Sequence, residues 1–137
     1  MTRKQPQHLA SSSIRLKNDA SIELLEMNDA FWPRLMAGEL GDFHHEYLVS
    51  LHDFSSDWSG SEAHPQGDEI VILLAGSATF QLEMPEGIHE VRLESPGSYV
   101  FVPKGVWHTA KIKHSARMLF ITAGEDTQHR QHDSMTA

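Results

Sequence analysis

The chain has no cysteine among its 137 residues, which removes disulfides, thiolate nucleophiles and Cys-based zinc or iron–sulfur sites together. Basic residues are also few: 11 Lys and Arg stand against 19 Asp and Glu, a formal charge of −8. A binder of phosphate backbones needs a basic face, so a nucleic-acid partner is not expected. No apolar run approaches the ~20 residues that cross a bilayer. The opening residues run from basic Arg3 and Lys4 into Ser11, Ser12 and Ser13 without an apolar stretch, so a secretory leader is not expected either. The expectation is a cytoplasmic protein with no membrane partner. A Gly-rich phosphate loop, a Walker-type lysine and a Gly-x-Ser-x-Gly elbow are missing as well.

What is present suffices for one domain. The apolar share is 39%, and domains commonly run to ~100–150 residues. Both ends are polar, so residues 1–13 and 125–137 read as flexible tails around a folded body of 14–124. His129 and His132 fall in the second tail, three apart, and read as solvated rather than as a metal pair.

Within the body the dominant period is two. Strands are predicted over 21–27, 45–54, 69–75, 77–84, 88–94, 98–102, 106–113 and 117–122, with Gly, Pro and Ser punctuation between them. One short helical segment fits 28–38, where Asn28 can cap, Phe31 and Leu35 lie four apart and Gly38 closes. Short strands with a single helical segment predict an all-β antiparallel sandwich or barrel. Residues 69–75 are apolar on both faces after Glu69. Such a strand needs covering twice, by the core and by either the N-terminal strand or a second subunit, and a homodimer is the expectation.

Two segments carry the chemistry. Residues 60–76 contain Glu62, His64, Glu69 and Gly76, and residues 97–108 contain Gly97, Pro103, Gly105 and His108. In these spacings the chain resembles the cupin superfamily, of the small single-domain type whose function is uncharacterised. That resemblance implies a double-stranded β-helix, the jelly-roll barrel. Six residues separate Glu69 from Gly76 as in the family's first motif, and the second motif is matched at Gly97, Pro103, Gly105 and His108. Glu62 takes the slot of the first histidine of the family's pair, and Ile112 the slot of the closing asparagine.

The residues agree with that resemblance. Glu62 and His64 are two apart, so on a strand they face one way. The turn through Pro65 and Gly67 folds Glu69 back beside them, and the turn at Pro103 and Gly105 launches His108 onto a facing strand. Two imidazoles and two carboxylates then meet at one mouth, a set suited to one divalent transition ion such as Fe, Mn, Zn or Ni. The bland alternative is a water-filled pocket in which the carboxylates hydrogen-bond to the histidines. The expected function is that of a metal-binding cupin enzyme acting on a small polar organic molecule by dioxygenase- or isomerase-like chemistry. The alternative is a non-catalytic module that binds or senses a small ligand.

Overall fold

The computed structural model describes residues 5–132. Eleven strands and one short helix follow in order: β1 (Ser12–Leu16), β2 (Ile22–Glu26), α1 (Phe31–Met36), β3 (Tyr47–Phe54), β4 (Gly60–Ala63), β5 (Glu69–Gly76), β6 (Ala78–Met84), β7 (Gly87–Leu93), β8 (Tyr99–Val102), β9 (His108–Lys111), β10 (Ala116–Ala123) and β11 (Gln128–Gln131). They form two antiparallel sheets, one ordered β2-β1-β3-β10-β5-β8 and the other β11-β4-β9-β6-β7. This is the expected jelly-roll barrel, with the helical segment present at 31–36.

The core lies between the sheets. Val71 and Leu73 from β5, Val100 and Val102 from β8, Met118 and Phe120 from β10 and Phe80 and Leu82 from β6 are buried in one cluster. Alternation follows from the pleat: on β5 these inward residues are interleaved with outward Ile70, Ile72 and Leu74. Burying a side chain such as Phe80 contributes about 3 kcal/mol, so the spacing of these residues specifies the register. A second, smaller cluster of Leu25, Phe31, Phe43 and Leu48 lies where α1 packs on the inner side of β2 and β3. Asn28 Oδ1 accepts the amide of Ala30 before α1, and Gly38 at φ +77° ends it.

Parts of the segments expected as tails, 1–13 and 125–137, form strands. Ser12 and Ser13 are buried in β1, which runs between β2 and β3. Residues 128–131 form β11, paired with β4 over four positions. Both strands are held by backbone hydrogen bonds, which leave no trace in hydrophobic patterning. Residues 1–4 and 133–137 of those tails lie outside the described range. No helix among the described residues is long and apolar enough to cross a membrane.

Candidate metal centre

Two loops bring the chemistry together. Pro65, Gln66, Gly67 and Asp68 turn the chain from β4 into β5, and a Cβ on Gly67 would meet the Cβ of Ala123 at 2.5 Å. Only glycine permits that approach. The second loop turns at Gly105, whose φ of +78° disfavours any residue with a side chain. Its amide donates to the His64 carbonyl at 3.0 Å, and the Lys104 amide donates to Asp68 Oδ1 at 2.8 Å. The two sequence segments are therefore stapled together. On the five-stranded sheet His108 pairs directly with Glu62, so their side chains share a face.

The result is a convergence of Glu62, His64, Glu69 and His108, whose ligand atoms all lie within 4.8 Å of one another. Glu69 Oε1 stands 3.0 Å from His108 Nε2, and Glu69 Oε2 stands 3.3 Å from His64 Nε2. Glu62 Oε2 is 3.9 Å from His64 Nε2. Three members are sealed from solvent, Glu69 and His108 at 1% exposure and His64 at 3%. Glu62 is 30% exposed and forms the solvent side of the group.

The hydrogen bonds around this set determine what it can hold. His108 Nδ1 donates to the Val106 carbonyl at 3.0 Å, and His64 Nδ1 contacts Thr127 Oγ1 at 3.0 Å. A nitrogen that donates leaves the ring's other nitrogen, Nε2, with its lone pair. Thr122 Oγ1 donates to Glu69 Oε2 at 2.6 Å. What remains unpartnered is His64 Nε2, His108 Nε2 and Glu69 Oε1, all turned to one point and none aligned for a hydrogen bond with another. Lone pairs at 3 Å repel unless a proton or a cation lies between them.

The protonation tendencies express the same tension. Burial raises the Glu69 pKa, but the facing imidazoles, His108 ahead of His64, pull it down to about 2. Burial lowers that of His108, and the Glu69 carboxylate beside it outweighs burial and raises it. A cation bound by the four groups would compete with a proton for His108 Nε2. An ion ~2.1 Å from each donor places donors at most ~4.2 Å apart, so the cluster needs only slight contraction to hold one. The donor set of two imidazoles and two carboxylates suits a divalent transition ion.

All four ligands expected from the sequence are thus brought together. Two supporting residues, Thr122 and Thr127, carried no sequence signal, and a third, His129, expected to be solvated, has its Nε2 3.2 Å from Glu62 Oε1. They follow Glu69 by 53 residues or more and reach the site through β10 and β11. His129 and His132 part company, since His132 Nε2 contacts Ser61 Oγ at 3.1 Å. Trp58 lines the interior, its ring 6.1 Å from His108 and 5.6 Å from Phe54 and Phe80, and its indole N–H has no partner. Trp107 lies under Arg130, its ring 4.5 Å from the guanidinium carbon. Of the other histidines, His44 and His45 are exposed. His52 is largely buried among Trp32, Phe54 and Phe120, and burial lowers its pKa.

No family model matches the chain, and no curated protein matches it in sequence. Solved structures do resemble it. A cupin-2 domain containing protein from Shewanella frigidimarina superimposes with a TM-score of 0.47 at 21% identity, over 55% of this chain and 68% of that one. Peruvianin-I, a cysteine peptidase from Thevetia peruviana latex, gives 0.54 at 13%, over 64% and 57%. An oxalate oxidase gives 0.51 at 16%, over 59% and 44%. The chain thus spans about half the length of the last two. At these identities the likeness is one of fold.

Proposed function

We propose that this chain, which has the cupin fold, is a metal-dependent enzyme acting on a small polar organic molecule held in its barrel. One divalent transition ion, Fe, Mn, Zn or Ni, is bound by Glu62, His64, Glu69 and His108. The observation that carries the reading is the trio of buried, unpartnered acceptor atoms, His64 Nε2, His108 Nε2 and Glu69 Oε1, aimed at one point. Interiors seldom leave polar atoms unsatisfied, and acceptors that converge call for a cation.

When bound, the ion supplies Lewis-acid polarisation of a substrate oxygen or, for a redox metal, one-electron chemistry with O2. The protein's own groups do the rest. The Val106 carbonyl and Thr127 orient the two imidazoles, and Thr122 holds one oxygen of Glu69 so that the other faces inward. Glu62 alone of the four reaches solvent, so it is the group that passes protons between the site and bulk water. Phe54, Trp58 and Phe120 form an apolar wall that keeps water from the centre, and the free Trp58 N–H offers a donor to a substrate oxygen. Dioxygenase- and isomerase-like reactions both fit this set. The cytoplasm is part of the proposal.

The second reading is a non-catalytic binding or sensing module that uses the same cavity, favoured by the near-complete burial of three of the ligands. Elemental analysis of purified protein tests the shared premise, with close to one ion per chain expected. Oxygen uptake and product formation with the Fe(II)-loaded protein and a panel of small enols, hydroxy acids and thiols then separate the two. Tight retention of a ligand without turnover supports the module. A protein that binds no transition ion and loses nothing on His108→Ala overturns both.

A further inference from the structure

Strand β11 borders the candidate metal centre, and nothing apolar holds it there. It is the edge strand of the five-stranded sheet, next to β4. All four of its residues are exposed, and none belongs to either buried cluster. A backbone ladder and a few polar contacts fasten it. Gln128, His129, Arg130 and Gln131 pair with Ala63, Glu62, Ser61 and Gly60. Thr127 Oγ1 lies 3.0 Å from His64 Nδ1, and His129 Nε2 lies 3.2 Å from Glu62 Oε1. Arg130 covers the Trp107 ring and pairs with Glu83, and the His132 amide donates to the Ser59 carbonyl at 3.1 Å. A strand without buried apolar surface opens at low free energy.

The ligand-bearing strand depends on β11 in turn. β4 carries Glu62 and runs directly into His64, yet it pairs with β9 at one position, Glu62 with His108. With β11 it pairs at four. Two of the four candidate ligands are thus held chiefly from the outer side, where Glu62 reaches solvent. We infer that β11 is a strap coupled to the ion. Docked on β4 it fixes Glu62 and His64 in ligating position, and an ion bound by those two residues keeps it docked. The inference rests on the metal reading above and adds its regulation. Such coupling is reciprocal: the factor by which docking raises affinity for the ion is the factor by which the ion favours docking. Thr127 and His129 act as positioning residues on the two ligands. Arg130 extends the coupling to a side chain that touches neither. Opening of the strap frees the solvent side of the centre, by which an ion enters and leaves.

Amide hydrogen exchange of the full chain, measured after chelation and again with saturating Zn(II), tests the coupling. The ion is expected to slow exchange across 128–131 by at least about 10-fold and to leave β7, the opposite edge of the same sheet, unchanged. Two variants undock the strap without altering a ligand. Arg130→Ala removes the contacts to Trp107 and Glu83, and Gly60→Ala brings a Cβ to 2.6 Å from the Arg130 carbonyl oxygen. Each is expected to lower Zn(II) affinity by about 10-fold in competition with a chromophoric chelator. Arg130→Lys keeps a cation over Trp107 and recovers part of that loss. Arg92→Ala, on β7, changes neither exchange nor affinity. Exchange of 128–131 that is the same with and without bound Zn(II), or wild-type affinity in both undocking variants, overturns the strap and leaves the metal reading in place. A chain that takes up no Zn(II) overturns both.

Discussion

Two buried carboxylates show how this molecule separates structure from chemistry. Glu46, 6% exposed beside the small cluster under α1, accepts from Arg15 Nε at 2.7 Å and from the Asn18 amide at 3.2 Å. Arg15 in turn lies over the Phe43 ring at 4.1 Å and donates to the Leu40 carbonyl. Both carboxylate oxygens and the cation are satisfied locally. Glu69, 1% exposed, has one oxygen bonded to Thr122 and the other aimed at imidazoles that cannot align with it. Where the chain needs only stability it supplies its own cation. At the barrel mouth it gathers acceptors and leaves the cation to come from outside, an arrangement that costs stability unless something binds.

That contrast can be broken experimentally. The largest effect is expected on metal binding: Glu69→Ala and His108→Ala each lower transition-ion affinity by more than about 100-fold, whereas Glu46→Gln leaves it unchanged, as measured by competition with a chromophoric chelator. The order reverses for stability of the chelated protein in urea. Arg15→Met strands Glu46 and costs about 3 kcal/mol. Glu69→Gln keeps an oxygen for Thr122 and removes the burial cost of a charge, so it costs less, about 1 kcal/mol. A large loss from Glu69→Gln in metal-free protein would place the two carboxylates in one class.

Acid sharpens the comparison. An imidazole must be free of its proton to bind an ion. Burial lowers the pKa of His108, but the carboxylate of Glu69 raises it overall above 6.5, so affinity should already be falling before the pH drops to 6.5 in isothermal titrations. For Glu46, burial raises the pKa but Arg15 and the Asn18 amide lower it below 4.5 overall. Its contribution to stability is therefore complete above pH 4.5 and is lost as pH falls through the lower folded value. Arg15→Met should flatten that part of the stability profile. Thr127→Val, which leaves His64 without its Nδ1 partner, is expected to weaken metal binding by about 10-fold with little change in melting temperature. The smallest effect concerns the turn. Gly105→Val costs about 1–2 kcal/mol because of its positive φ, and Lys104→Ala is neutral. Equal melting temperatures for that last pair would show that the turn relaxes.

Most of the barrel was legible before folding was considered. The apolar run of 69–75, the alternation in 77–84, the glycines at 76 and 105 and the spacing of Glu62, His64, Glu69 and His108 pointed to strands, turns and a cluster that the structure contains. The strand at 12–16 was not legible, because Ser12 and Ser13 are small and polar and are buried by neighbours rather than by their own hydrophobicity. The strand at 128–131 consists of Gln128, His129, Arg130 and Gln131, all exposed, and its pairing with β4 is a matter of backbone alone.

The amino-acid order by itself determined which residues carry chemistry and which alternate into a core, since both depend on residue type and short spacing. Only tertiary structure decided which groups complete the site, because Thr122, Thr127 and His129 reach it through strand pairings remote in sequence. It decided likewise that Glu46 meets Arg15 while Glu69 meets lone pairs. A carboxylate is the same in both places, and what it does depends on the partners that folding brings within 3 Å.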